Sequence, residues 1–547
     1  MALTEDVIRT WAELVEEDED TLVIDSGELV KLLEPKMKFP DIKEATKKAY
    51  ADFIVANFEN LSEPCQCNIL SLLRILCRDD TGLGSLLTDK VCKIMMSTAF
   101  PPSKSERVKA LVEAEKCIIN SLFHSMLARD VFSASYEEPL LSRVETLFFK
   151  ISTGAFTEHQ LHLAAYLKLI SDDLLEQLFF FDLRLCFVLC ATQNKVLNAW
   201  GMSEPSFAMF YNILEFCTKG IFDGKQMTKS EDERSNECLK IIYNILCCPQ
   251  FDQSTKTAKT CADLGKKLIL AENVPEATKQ NVVNILYRLD KHLGKCSTKL
   301  DEEALKTADP EHVYEGYDVT FPTAVLKSLE DKLDNSPKED VGLLVSYFAV
   351  LHYICAASKG ARRYCRLKVL PPLTATDVQA RPDEGNSLRA KIIRTMMNGA
   401  SAGEMAAEFL FTLCKQSPGR MMKYCGLGHA AGLFANKGLF GNLNRVRNES
   451  DSEDSQTEDY KEVEHQVNPV TGFINPARDT SAWDNMSEEQ KEYEAMKLVD
   501  AMSKLMDTGV IQPGTIGPDG KPKAVSHVCE LLKNKHDLKE EEELDSD

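Results

Sequence analysis

EAEKCIINSL at residues 113–122 and ECLKIIYNIL at residues 237–246 share the frame E-x-x-K-x-I-x-N-x-L. In each, the charged pair stands three residues apart and the apolar positions recur at helical spacing, so both read as amphipathic helices with an asparagine near the end. A broader version of the frame, a polar residue with apolar neighbours at −2, −1 and +2, returns at Arg74, Asn120, Lys168, Asn212, Asn244, Asn284 and His352. The successive intervals are 46, 48, 44, 32, 40 and 68 residues, the last crossing an irregular stretch at 309–322. Periods of about 40 to 47 residues in a helical chain are those of armadillo and HEAT repeats, in which each unit buries its apolar face only by stacking on its neighbours. Such stacking leaves a long groove.

Outward from these helices the same periodicity continues. Ile69, Leu72, Leu73 and Leu76 form a stripe after the helix entry Ser62-Glu63-Pro64, and Cys238, Ile241, Ile242 and Ile245 form another. Alternating β-branched runs are nearly absent, so residues 1–441 are expected to be an all-α, armadillo/HEAT-like solenoid. The chain has 547 residues, 44% of them hydrophobic, enough for an elongated array or several cores. A formal charge of −21 argues against nucleic acid, whose binding needs a basic footprint. The first residues, MALTEDVIRTWAELVEED, carry acid where an export signal carries positive charge. The most apolar window, 178–191, is interrupted by Asp182 and Arg184 and is too short for a transmembrane segment. The 18 cysteines lie mostly within apolar helical patterns, which fits free thiols in a reducing, cytoplasmic setting. Neither Cys65/Cys67 nor Cys247/Cys248 has the spacing or companions of a zinc site, and no metal or cofactor is expected. Walker, GxSxG and HExxH motifs are missing, so side-chain catalysis has no support in the sequence. GLGHAAG at 426–432 misses the dinucleotide spacing and reads as a helix-to-helix turn.

After Gly441 the periodicity stops. Residues 449–464 hold eight acidic residues against one lysine, too little apolar surface to order by themselves, so 442–485 reads as an acidic linker. Ser487 with Gln490 makes a capping box that opens an isolated amphipathic helix at 486–508. Tyr493, Met496, Val499 and Met502 lie along one side of it, a face suited to packing on a partner. Residues 509–547, rich in Gly and Pro and ending KEEEELDSD, read as a mobile acidic tail.

Two kinds of binding chemistry stand out. Arg74 and Arg78, one turn apart, either reach together for a carboxylate or chain terminus or form a solvated face. Asn120 and Asn244 offer donor and acceptor together, and either grip a ligand backbone or tie adjacent helices. In the linker, Ser450 and Ser455 each have acid three residues on, the preference of an acidophilic kinase such as casein kinase 2. Their phosphates would suit the arginine and lysine groups at Arg362, Arg366, Arg420 and Lys423, with Arg363 and Lys368 nearby. The alternative is a solvated acidic linker with unrelated basic residues.

KVLPPL (368–373), AAEFLFTLC (406–414), KYCGLGHAAGLFANKGLFG (423–441), VNPVTG (467–472) and EEQKEYEAMKLV (488–499) resemble, in that order, the synembryn family, named for resistance to inhibitors of cholinesterase. LLRILCRDD and EKCIINSLF extend the resemblance more weakly towards the N-terminus. It implies a cytosolic guanine nucleotide exchange factor and folding chaperone for heterotrimeric G-protein α subunits. It further implies that the groove takes the C-terminal helix of the α subunit, while the phosphorylated segment and terminal helix hold its Ras-like domain. Leu427 and His429 depart from the tyrosine and asparagine of relatives, so no role is carried over to them. A passive armadillo-type scaffold, binding peptides without nucleotide dependence, is the competing expectation.

Overall fold

In a computed structural model the chain is described over residues 2–101, 107–156, 167–168, 170–335, 342–398, 401–440, 457–475, 486–507, 514–516 and 522–524. It is all-α apart from two short antiparallel hairpins among the described residues. It divides into two compact units, residues 1–291 and 292–547. No helix among the described residues is long and apolar enough to cross a membrane.

The first unit is built on a ladder of helices, each packed on the next: Glu19–Leu33, Glu63–Leu76, Val108–His124, Asp172–Thr192, Lys229–Leu246 and Glu276–Arg288. A second layer, including Glu5–Glu17, Glu44–Asn57, Asp89–Ala99, Glu137–Thr153, Glu204–Phe222 and Lys256–Leu270, covers the ladder. Both amphipathic frames quoted first lie on ladder helices. The apolar stripes expected on two ladder helices are buried: Ile69, Leu72, Leu73 and Leu76 on Glu63–Leu76, and Cys238, Ile241, Ile242 and Ile245 on Lys229–Leu246. Ends are set locally. Thr228 and Glu231 form a capping box at the start of Lys229–Leu246, satisfying amides that the first turn leaves without partners.

The repeat reading needs one correction. Lys168 stands outside the ladder helices, and Asn212 lies on Glu204–Phe222 in the covering layer. Between Asn120 and Asn244 the ladder runs instead through Asp172–Thr192, whose central polar residues, Asp182 and Arg184, do not stand in that apolar frame. A polar residue in an apolar frame therefore finds amphipathic helices without telling which layer they occupy.

One charged group lies deep in this unit. Arg143 donates through Nε and Nη2 to the two carboxylate oxygens of Asp182, at 2.9 and 2.6 Å, and through Nη1 to the Ala99 carbonyl at 2.6 Å. Its Nη2 also meets Glu115, and its guanidinium sits 3.9 Å from the centre of the Phe100 ring. Glu115 and Asp182 are fully buried. Burial pushes the Glu115 carboxyl well above its ordinary value, against the pull of Arg143 and with the help of the Asp182 charge. Burial lifts Asp182 as well, while Arg143 opposes it. Two carboxyls around one guanidinium thus favour a neutral Glu115.

The second unit centres on Leu344–Ala357, apolar nearly all round and packed against Thr320–Asn335, Lys359–Val369 and Ser401–Leu413. Pro418–Cys425 and Leu427–Lys437 follow, joined at Gly426 alone, which corrects the turn expected over 426–432: residues 427–432 are already helical. The hairpin Val313–Tyr314/Tyr317–Asp318 lies on the basic helix Lys359–Val369: Glu315 pairs with Arg363 at 2.6 Å, and the Tyr314 and Tyr364 rings meet at 5.7 Å. Gly360 is required there, because a Cβ at that position would overlap the Tyr317 ring. The tail, expected to be mobile throughout, contains a second hairpin, Gly514–Ile516 with Pro522–Ala524.

Candidate functional site

Along the ladder the polar residues singled out in the sequence meet partners from neighbouring helices. Arg74 donates through Nε to Glu113 Oε1 at 2.8 Å and through Nη2 to Glu34 Oε2 at 3.0 Å. Ser71 Oγ and Lys116 Nζ also serve Glu113, at 2.8 and 3.2 Å. Burial alone would raise the Glu113 carboxyl, but Arg74, Lys116 and Ser71 together hold it below its ordinary value. Arg78 reaches Glu34 Oε1 at 2.7 Å and also caps the end of Glu19–Leu33 through the carbonyls of Glu34 and Lys36, at 2.6 and 3.2 Å. Both arginines therefore do converge on a carboxylate, and in the free chain that carboxylate is Glu34. Asn120 Nδ2 donates to the Arg74 carbonyl at 3.1 Å, and Asn244 Nδ2 to Cys190 Sγ at 3.3 Å. Each ties its helix to the preceding rung.

The E-x-x-K frame repeats in three dimensions. Glu237 accepts from Lys240 at 3.0 Å and from Arg184 of the preceding ladder helix at 3.0 Å, as Glu113 accepts from Lys116 and Arg74. Further along, Asn281 Nδ2 donates to Asn236 Oδ1 at 2.8 Å and Arg288 Nη2 to the Tyr243 hydroxyl at 3.2 Å. Sequence reasoning does not place Glu34, Glu113, Arg184 or Glu237 in this set; the E-x-x-K spacing is a signal for Glu113 and Glu237 alone.

Of the four basic residues expected to receive phosphate, two are drawn to one place. Arg366 Nη1 donates to the Tyr424 hydroxyl at 3.3 Å, and Lys423 Nζ lies 5.1 Å from the Tyr460 ring centre and 5.5 Å from that of Tyr424. Arg362 and Arg420 are half-buried on Lys359–Val369 and Pro418–Cys425. Ser450 and Ser455 lie outside the described residues. Two positions after Ser455, however, Thr457 donates to the Leu373 carbonyl and caps a short helix, Glu458–Val463. Asp459 accepts from the Ala375 amide at 2.8 Å, and Tyr460 is 3% exposed. This corrects the linker reading: residues 457–475 are folded against the body. Tyr460 supplies the apolar anchor that a count of acidic residues overlooks.

The terminal helix, Glu488–Asp507, has the expected capping box, with Ser487 N to Gln490 Oε1 and Gln490 N to Ser487 Oγ both at 3.2 Å. Tyr493 and Met496 are each 67% exposed, and Val499 and Met502 are half-buried. Leu498, outside the expected set, is 62% exposed. None of the helix residues whose side chains are described is buried. Apolar side chains on a well-capped helix are thus left open to water. His429, the departure noted above, bonds the Cys425 carbonyl through Nδ1 at 2.7 Å and faces Asp383 at 3.4 Å.

The family model described as guanine nucleotide exchange factor synembryn matches residues 69–521. The chain is 36% identical over 514 residues to a protein of Caenorhabditis elegans named Chaperone ric-8, with 88% of each chain covered. It is 34% identical over 543 residues to the Chaperone ric-8 of Caenorhabditis briggsae, with 92% of each covered. To the Chaperone Ric-8A of Gallus gallus it is 30% identical over 518 residues, covering 88% of this chain and 89% of that one.

Proposed function

Because the chain belongs to the synembryn family of guanine nucleotide exchange factors, we propose that it is an exchange factor and folding chaperone for heterotrimeric G-protein α subunits. The observation that carries this reading beyond the family name is the exposed apolar face of Glu488–Asp507. That face packs on the Ras-like domain of the α subunit, while the ladder receives the subunit's C-terminal helix near Arg74, Arg78, Asn120 and Asn244. Exchange of this kind needs no reactive side chain. It needs tighter binding to the nucleotide-free subunit than to the GDP-bound one, since a ligand shifts an equilibrium only by its differential affinity. Drawing away the helix that leads from the base-binding loop loosens GDP, and GTP reclaims the helix and frees the complex. The same grip on an empty subunit limits its aggregation until nucleotide completes the fold.

Glu34 and Glu113 refine the role of the arginines. An incoming carboxylate competes with Glu34 for Arg74 and Arg78, so engagement exchanges one charge pair for another. A kinase of the casein kinase 2 type modifies Ser450 and Ser455, whose phosphates settle on Arg362, Arg366, Arg420 and Lys423. The protein acts in the cytoplasm and is brought to the cell cortex by its partner. Pull-downs with nucleotide-free, GDP-loaded and GTP-loaded α subunits test the reading, and capture independent of nucleotide would point to a passive scaffold. GDP release with a chain ending at Asn475 tests the terminal helix itself, with release expected to fall towards the intrinsic rate. Full activity from that truncation excludes an essential role for Tyr493, Met496, Val499 and Met502.

A further inference from the structure

Two motifs, CGLGHAAG and VNPVTG, remain without a part in this function. They bond to each other. The amides of Leu427 and Gly428, at the open start of Leu427–Lys437, donate to the carbonyls of Pro469 and Val470 at 2.9 and 2.8 Å. One motif thus supplies from outside the cap that the other's helix lacks. Gly426 and Gly472 both have φ of 77°, where a side chain is strained. A Cβ on Gly426 would stand 2.8 Å from the Thr471 carbonyl carbon, and one on Gly472 would stand 2.7 Å from Pro382 Cγ and 3.0 Å from the Gly426 nitrogen. Glycine at both places lets two backbones meet.

The turn that brings them together is held by Asn468. Its Oδ1 accepts from the Val470 amide at 2.9 Å, its carbonyl from Gly472 at 2.8 Å, and its amide donates to Phe473 at 3.1 Å. Ile474 then donates to the Val378 carbonyl at 2.8 Å. At the other end of the same segment stand the Thr457, Asp459 and Tyr460 contacts with Leu373, Ala375 and Lys423.

We propose that residues 457–475 are a standing strap, so that the chain is held on both sides of 441–456 and the terminal helix is tethered from Asn475, not from Phe440. Glu488 lies 13 positions after Asn475, a reach of at most about 45 Å, whereas the 48 positions from Phe440 would allow roughly 170 Å. The shorter leash raises the local concentration of the helix near the body. It also divides the labour: Ser450 and Ser455 precede the strap in the chain and the helix follows it, so modification of the two serines reaches the helix only across the strap.

The strap belongs to the chain alone, so its test needs no α subunit. A site-specific protease sequence is placed within 444–451 of the full chain, and the cut protein is run on a sizing column. With Gly472 intact, the C-terminal piece is expected to elute with the body. Gly472→Ala is expected to weaken retention by on the order of tenfold or more, the effect of a strained, crowded position, and Asn468→Ala to weaken it in the same direction. In uncut Gly472→Ala, hydrogen exchange at Leu427, Gly428 and Ile474 should rise together while Leu344–Ala357 stays protected, which separates strap release from misfolding. A piece that leaves the body on cutting while Gly472 is present overturns the proposal. So does a Gly472→Ala chain whose retention and exchange match the parent.

Discussion

Arg143 holds two buried carboxyls with one positive charge, and the surplus acid has a consequence for pH. Burial and the Asp182 charge raise the Glu115 carboxyl in the fold above its value in the unfolded chain, against the pull of Arg143 and Lys116. A carboxyl raised on folding contributes stability below the unfolded value of about 4.3, and loses that contribution as pH climbs through the folded value. Glu115→Gln keeps a donor for Asp182 and removes the titration. Its melting temperature should match the parent near pH 4 and exceed it increasingly towards neutral pH, a comparison that scanning calorimetry makes directly. A constant difference across that range would mean that Glu115 is ionised in the fold. The sequence showed Asp182 and Arg184 only as interruptions in an apolar run, with nothing to connect Asp182 to Arg143, 39 positions away.

At the scale of elements, the Arg74 and Arg184 joints show how a polar rung can carry both register and stability. Arg74 and Glu113 are 18% and 12% exposed in their side chains, so removing the arginine leaves a nearly buried carboxylate served only by Ser71 and Lys116. Arg74→Ala should destabilise the first unit by about 2–3 kcal/mol, in the range for losing one partner of a well-buried charged hydrogen bond. Denaturant midpoints measure it, and Arg74→Ala combined with Glu113→Gln should recover part of the loss. The helices themselves were legible because apolar spacing and caps are local, as at Thr228 and Ser487. Layer assignment was not, because Asn212 and Asn244 sit in the same apolar frame and only packing distinguishes them. Arg74, Arg78, Asn120 and Asn244 were legible as unusual residues, yet their partners come from other rungs. The folded half of the linker escaped for a related reason: its one deep anchor, Tyr460, sits in a run whose composition reads as solvated.

For the whole molecule, helices within each of the units 1–291 and 292–547 pack mainly on near neighbours, so most of the chain is indifferent to what happens far away. The stretch between Phe440 and Thr457 is a case in point. Phe440 leans edge-on against Phe434 at 6.5 Å, and Thr457 is bonded to Leu373, so the body keeps hold of the chain on both sides of a gap of 16 residues. Doubling the length of a flexible closed loop costs only about 0.6 kcal/mol. Sixteen Gly and Ser residues inserted after Arg447 should therefore leave the denaturation midpoint of the second unit nearly unchanged. The same insertion after Asn475 should spare stability equally but loosen the hold of the terminal helix on its partner, and binding titrations of the two chains side by side would show it. Between the held residues Phe440 and Thr457 the chain thus offers a port for a fluorescent reporter or affinity handle, one that leaves both ends of the molecule free for work.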